Sequence, residues 1–319
     1  MEPLLLNPAG KDYLWGGTRL KKEYGKDIPL VPLAETWECS VHPDGLSIVV
    51  NGTFAGKTLK SVLDRNPRWL GNKVGKDLPI LIKFIDAEKD LSVQVHPDDE
   101  YARENEGQNG KTEMWYVLDA VPGAELIYGF EHDVTPDKLR YAVNSGTLSK
   151  HLKKVKVRRG DTFFITPGTV HAIGAGIMVA EIQESSNVTY RVYDYDRLDK
   201  DGKKRPLHIE KALEVANLRA SNGIKQPPKF IKYYPGCARE ILCRCKYFEV
   251  ERVQVSMGFS FSVTEDSYQV LLCTEGFGGI ETEYSRRPLR FAKGDCIFLP
   301  AAIGRCHVLG NTTLLKIRN

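Results

Sequence analysis

A short motif occurs twice in this 319-residue chain. Gly160-Asp161-Thr-Phe-Phe164-Ile-Thr-Pro167 is echoed 134 residues later by Gly294-Asp295-Cys-Ile-Phe298-Leu-Pro300. Gly-Asp-x-x-Phe opening a strand, followed by Pro, is what a repeated jelly-roll edge would present. The first copy reaches His171 eleven residues after its glycine, and the second reaches Arg305 at the same offset. The expectation is two halves of related fold, with the polar equipment confined to the first.

Strand signals dominate the rest of the chain. Leu46-Ser-Ile-Val-Val50 stands between turn residues, and Leu91-Ser-Val-Gln-Val-His96 alternates apolar and polar side chains. Residues 114–118 and 124–128 flank Pro122-Gly123 and read as a hairpin, while 161–165 and 259–263 read as further strands. Helices are few. Thr135-Pro136 supplies N-cap and first-turn chemistry for residues 137–142. Residues 207–218 carry apolar side chains at 209, 212, 213 and 216, and fainter patterns cover 57–63 and 98–106. Polar, turn-rich sequence at 197–206 and linker chemistry at 221–229 bracket the helix at 207–218 and mark the clearest boundary. The reading is a mainly β protein with a few helical inserts, divided into residues 1–220 and 221–319.

Composition excludes several classes. Hydrophobic residues make up 42% and charged residues 27%, enough to bury a substantial core and too apolar for a disordered chain. An excess of 45 Lys and Arg over 41 Asp and Glu leaves +4, too little to argue for nucleic acid. Apolar stretches such as Leu78-Pro-Ile-Leu-Ile82 are cut by Lys83, far short of the roughly 20 residues of a membrane span. The N-terminus has no basic region, long apolar core or cleavage site, and seven cysteines are scattered rather than framed. A soluble, cytoplasmic protein is expected, with neither nucleic acid nor membrane as a partner. No feature names a protein partner.

The chemistry gathers in three segments. In Gln94-Val-His96 the two polar side chains share one face of a strand, as do lysine and carboxylate in Lys111-Thr-Glu113. Pro167-Gly-Thr-Val-His171 sets another imidazole just beyond a turn. Two histidines and a carboxylate, aided by an amide oxygen, suit a borderline divalent metal with an open coordination position. The spacing itself is not specific.

The segments resemble a known family. Leu78-Pro-Ile-Leu-Ile-Lys83 through Ser92-Val-Gln94-Val-His96-Pro-Asp98 is similar to the signature of mannose-6-phosphate isomerases (phosphomannose isomerases, type I). So are Lys111-Thr-Glu113-Met-Trp115-Tyr116 and Gly160-Asp-Thr-Phe-Phe-Ile-Thr-Pro-Gly-Thr-Val-His171-Ala, with Tyr13-Leu-Trp15-Gly16-Gly17 and Ala34-Glu35-Thr-Trp37 in the same style. The resemblance covers residues 13 to about 197, and the C-terminal third matches mainly in pattern. It implies two cupin-like jelly-roll barrels, a catalytic one in residues 1–220 and a degenerate one in 221–319, where Arg305 replaces a ligand histidine. It implies one Zn2+ per chain, held by Gln94, His96, Glu113 and His171. Lys83, Ser92, Lys111 and Arg191 would bind substrate, and Arg191, Glu181 and Lys111 would take part in the chemistry. Two departures stand out: the step from His171 to Glu181 is longer than in the long members, and the chain lacks room for their extra helical domain. It resembles the short bacterial branch.

The implied reaction interconverts mannose 6-phosphate and fructose 6-phosphate through an enediolate. A metal polarises the carbonyl, and Lys83, Lys111 and Arg191 are the cations that a phosphate group requires. Glu181 and a metal-bound hydroxide both stand as the general base. Plainer accounts stand beside these. The ligand set would also make a hydrogen-bonded polar cluster, Lys83 a strand-edge lysine, Lys111–Glu113 an ion pair, and Arg191 a structural arginine stacked on tyrosine. Trp15, Trp37 and Trp115 read as core or pocket wall, Cys243-x-Cys245 as buried strand thiols, and the basic run 150–159 as a solvated face. His42, His132, His151, His208 and His307 receive no role. The competing functions are a non-catalytic cupin that binds a sugar or sugar phosphate, and an iron oxygenase. The full ligand set argues against the first, and the lysines and Gln94 against the second.

Overall fold

The computed structural model describes residues 1–199, 201–221, 230–283, 285 and 287–319. Three antiparallel sheets of ten, six and five strands carry the fold, so the chain is mainly β. The six-stranded sheet runs Thr162–Ile165, Glu113–Ala120, Ile177–Glu184, Ile80–Ala87, Glu35–Cys39, Ala9–Lys11. The five-stranded sheet runs Tyr190–Tyr193, Val93–Val95, His171–Ala172, Glu125–Phe130, Leu152–Lys156.

These two sheets face one another across a shared core, in which Ile85, Trp115 and Val179 pack with Leu91, Leu126 and Ile173. The other face of the six-stranded sheet lies on the ten-stranded one, where Phe84, Met114 and Met178 meet Val270, Phe298 and Leu315. Ile80–Ala87 and Ile177–Glu184 are therefore buried throughout. Burial on both faces explains why residues 78–82 read as an apolar run rather than an alternation, up to the equally buried Lys83. Helices Pro136–Asn144 and Ile209–Val215 cover the outer face of the five-stranded sheet, with Leu139 and Ala212 against Val93, Phe130 and Val192. Thr135 caps the first as its sequence predicts, its hydroxyl accepting from the Lys138 N–H. Among the described residues no helix is long and apolar enough to cross a membrane.

Several expectations change in the structure. Residues 121–124 do turn, but the flanking strands do not form a hairpin. Glu113–Ala120 pairs with Thr162–Ile165 and Ile177–Glu184, whereas Glu125–Phe130 pairs with His171–Ala172 and Leu152–Lys156. Both strands have an apolar face for the same core, so the chain crosses between facing sheets instead of folding back in plane. No sheet closes on itself among the described residues, where the sequence predicts barrels; the site lies between two open sheets. Strand 46–50 shortens to Ile48–Val49, and Arg19–Tyr24 forms a helix the sequence reading omits. Leu4–Asn7 and Ile48–Val49 join the ten-stranded sheet, Leu5 lying opposite Ile297. The linker read at 221–229 lies, apart from Ser221, outside the described residues.

Candidate active site

The facing sheets bring the polar segments together. Gln94 is opposite His171 in the five-stranded sheet, while Glu113 opens its strand in the six-stranded sheet opposite Ile165. His96 follows directly on Val93–Val95, and Pro97 and Asp98 then turn the chain into helix Asp99–Glu106, capped by the Asp98 carboxylate. The Lys111 N–H donates to the Pro97 carbonyl at 3.1 Å, which fixes Lys111 beside His96.

His96, Glu113 and His171 form a buried cluster whose ligand atoms all lie within 4.8 Å of one another. Glu113 reaches His171 Nε2 at 3.2 Å through Oε1 and His96 Nε2 at 3.5 Å through Oε2. Each imidazole gives its Nδ1–H to a backbone carbonyl, His96 to Val188 at 2.9 Å and His171 to Thr169 at 2.8 Å. A carbonyl can only accept, so both Nε2 atoms keep a lone pair directed at the cluster. His96 Nε2 and both Glu113 oxygens are buried without a hydrogen-bond partner. Orphaned acceptors in this number are costly unless a cation satisfies them; the Lys111 ammonium, 3.1 Å from Glu113 Oε2, answers one of them, and the nitrogen and oxygen set suits a borderline divalent ion for the rest. The Gln94 amide lies 3.4 Å from His171 Nε2, and a half-turn of the amide exchanges its oxygen into that place.

Beside the cluster, reached through Gln94 and Lys111, is a cavity of about 260 Å³ lined by Lys83, Ser92, Gln94, Lys111, Glu181 and Arg191 among others. All nine residues singled out from the sequence thus meet at one place. Lys83 lies 3.3 Å from Glu181 and 3.8 Å from Glu35, and Lys111 lies 3.1 Å from Glu113 and 3.9 Å from Glu181. Trp115 Nε1 donates to the second Glu181 oxygen at 2.9 Å. Burial works against the Lys83 ammonium, but Glu35 and Glu181 outweigh it and hold its pKa above the ordinary value. Burial likewise opposes the Glu181 carboxylate, and Lys111 and Lys83 overcome it, leaving Glu181 below the usual range. Glu113 is raised, chiefly by burial, against the pull of Lys111. Burial pushes His171 down to about 4 and His96 well below its ordinary value, so both imidazoles are neutral.

A larger cavity of about 400 Å³ lies on the far side of the five-stranded sheet, beside Val93, Ile127 and Tyr193. It contains none of the converging charges, so the smaller one is the candidate site. Glu35, Tyr13, Asn187, Thr189 and Arg205 also line the smaller cavity, and sequence reasoning gave them no role. Glu35 reaches Lys83 only because Glu35–Cys39 pairs with Ile80–Ala87, a long-range register invisible in local spacing.

Comparison with known proteins agrees with this geometry. Residues 4–120 match the model of the phosphomannose isomerase type I catalytic domain, and residues 239–319 that of the mannose-6-phosphate isomerase cupin domain. The mannose-6-phosphate isomerase of Streptococcus mutans is 40% identical over 302 residues, covering 95% of this chain and 93% of the relative. The mannose-6-phosphate isomerase ManA of Bacillus subtilis is 38% identical, covering 97% and 96%. The crystal structure of a mannose 6-phosphate isomerase from Bacillus subtilis superposes with a TM-score of 0.92 over 99% of each chain, at 34% identity. With relatives of this identity matched over nearly their full length, the chain belongs to the mannose-6-phosphate isomerase family.

Proposed function

We propose that the protein interconverts mannose 6-phosphate and fructose 6-phosphate on one divalent metal, zinc by its donor set. The observation that carries this reading is the buried His96–Glu113–His171 cluster, with its orphaned ligand atoms, set behind Gln94 and Lys111 on the wall of a cavity lined by cations. Gln94 would complete the ligand set through its amide oxygen. A bound divalent ion would polarise the substrate carbonyl, acidify the neighbouring C–H and stabilise the negative oxygens that develop.

The chain's own groups divide the remaining work. Glu181 takes the proton from one sugar carbon and returns it to the next, through Oε1, the oxygen that Trp115 leaves free and that faces the two lysines. Lys83 and Lys111 keep that carboxylate ionised before transfer, and Lys111 opposes the negative charge that then forms on the sugar oxygens. Ser92 orients the sugar. Arg191 holds the phosphate, a group remote from the reacting carbons whose binding positions them. Trp15 and Trp115 wall the cavity. Residues 1–220 are the catalytic unit and 221–319 a supporting one, and both read as cupin-like jelly rolls because the same turn opens a strand in each. A soluble sugar phosphate as substrate is consistent with a cytoplasmic enzyme.

The test is a coupled assay for fructose 6-phosphate formed from mannose 6-phosphate, run before and after chelation and again after zinc is restored. Activity should vanish and return with the metal. Absence of turnover in folded, metal-loaded protein would remove the isomerase reading and leave a sugar-phosphate binder.

A further inference from the structure

The polar turn read at 197–206, described at 197–199 and 201–206, forms a strap that brings Arg205 to the site. Tyr195 and Asp196 reverse the chain with φ of +57° and +53°, a region that residues other than glycine seldom adopt. Leu198 and Lys204 bridge across the strap. Its far end is stitched back to the strand it left. The Arg191 N–H donates to His208 Nδ1 at 3.1 Å, the His208 N–H to the Arg191 carbonyl at 2.8 Å, and Arg191 Nη1 to the Pro206 carbonyl at 2.9 Å. This stitching sets Arg205 on the cavity wall with Arg191.

Adjacent guanidiniums repel, and burial, followed by the Arg205 charge, disfavours the charged form of Arg191. The fold nonetheless fixes Arg205 in place. Asp194 accepts from Arg205 Nε at 2.8 Å and from Nη2 at 2.5 Å, and is itself held by Arg197 Nη2 at 2.6 Å. Arg197 and Arg205 thus share one carboxylate, and Arg191 shares the cavity wall with Arg205 and, among the described residues, has no carboxylate of its own in contact. Nη1 of Arg205 lies outside the Asp194 fork, and Nε of Arg191 is buried without a hydrogen-bond partner. Lys83 and Lys111, by contrast, are each matched to a carboxylate within 3.3 Å. The uncompensated positive charge is therefore at the strap, and its excess of two matches a phosphate monoester carrying roughly −1.5 to −2 at neutral pH.

Building on the isomerase reading, we infer that Arg205 is a second phosphate-binding and specificity-determining residue, and that Asp194 positions it. Arg191 and Arg205 grip the phosphate from two sides while the lysines serve the sugar end. The strap thereby selects phosphorylated over free sugar.

The test uses metal-loaded protein and two probes, inorganic phosphate in calorimetric titration and mannose 6-phosphate in steady-state kinetics. Arg205→Gln should weaken phosphate binding and raise KM by about ten- to a hundredfold, the range of a lost charge-assisted hydrogen bond, with kcat changed by less than about threefold. Arg205→Lys keeps the charge without the fork and should fall between this variant and wild type. Asp194→Asn should weaken both parameters less than Arg205→Gln does. Phosphate affinity and KM unchanged in Arg205→Gln, or a fall in kcat alone, would overturn the inference; if that variant does not fold, unchanged values in Arg205→Lys would do the same. Wild-type protein that binds phosphate without turning over mannose 6-phosphate would defeat the isomerase reading instead, and the titration would still decide whether Arg205 is a phosphate ligand.

Discussion

Gly160 and Gly294 begin the same turn in the two halves of the molecule, and only the first leads to a cluster of metal-ligand type. The Gly160 N–H donates to the Val117 carbonyl and the Val117 N–H to that of Asp161; Gly294, Cys273 and Asp295 repeat the pattern. Both aspartates accept from the backbone N–H three residues earlier, Arg158 at 3.0 Å and Ala292 at 2.7 Å. Further on, Gly168 and Ala302 donate to the carbonyls of His96 and Thr264. Ile165 is opposite Glu113 and Leu299 opposite Gln269, while His171 is opposite Gln94 and Arg305 opposite Ser262. The positions of Gln94, His96, Glu113 and His171 thus become Ser262, Thr264, Gln269 and Arg305. The backbone frame depends on the glycine, the aspartate and the strand register, and it forms with or without a ligand set.

The comparison breaks most sharply on activity. His96→Ala or His171→Ala should lower turnover by at least about a hundredfold, since disturbing outer-shell partners alone costs 10- to 100-fold. Metal content by elemental analysis should fall in parallel while the protein stays folded. Arg305→Ala, at the equivalent place, should leave the rate within about twofold, because surface changes away from a site seldom matter. A large loss there would show that the second half takes part in the chemistry.

Stability tests come next in size. Lys26 Nζ joins the second turn to the six-stranded sheet, donating to the Gly294 carbonyl at 2.6 Å and to Glu38 Oε2 at 2.7 Å. Lys26→Met leaves Glu38 buried and unpaired, so chemical denaturation should show a loss of about 3–5 kcal/mol. The two glycines separate by a smaller margin. At Gly160 a Cβ would find its nearest neighbour at 4.0 Å, whereas at Gly294 it would meet the Tyr24 carbonyl oxygen at 2.4 Å. Gly160→Ala should cost about 1–2 kcal/mol for its positive φ, and Gly294→Ala should exceed it by about 1–3 kcal/mol for the forced backbone shift.

The smallest effect is on pH dependence. His171 is held neutral by burial, its pKa near 4. A base depressed in the folded state contributes stability that is complete above its unfolded pKa of about 6.5 and is lost as pH falls toward the folded value. Between those limits, metal-free wild-type protein should be more acid-sensitive than His171→Gln, by at most about 1.4 kcal/mol per pH unit. Equal slopes would mean that His171 is not buried neutral. An Arg305 variant should keep the wild-type slope.

Much of the site was legible because its signals are local. Gln94 and His96 share a strand face by period two, Lys111 and Glu113 lie two residues apart, and the turn before His171 carries its own glycine and proline. The helix at 136–144, with its Thr135 cap, was legible for the same reason, while those at 59–65 and 99–106 showed only as fainter patterns at 57–63 and 98–106. What escaped depends on which ladder a strand joins. Residues 114–118 and 124–128 carry good strand and turn signals, yet nothing in them says that they enter different sheets. Glu35 enters the site through its pairing with the strand of Lys83. Arg205 enters through a strap that local composition presents only as a polar turn.

The clasp of Leu4–Asn7 between Cys296–Leu299 and Ile48–Val49 has a consequence for biosynthesis. Leu4 precedes every residue of the cavity in the chain, and its partner Phe298 is made only after those residues have been translated. Until then the ten-stranded sheet lacks Cys296–Leu299, the strand that joins Leu4–Asn7 to Gln269–Thr282, and the apolar face of Ile80–Ala87 that rests on that sheet stays incompletely covered. Pairing over such separation is slow, and nascent chains with exposed strands are prone to aggregate. The half without the ligand cluster thus sets when the half with it can finish folding.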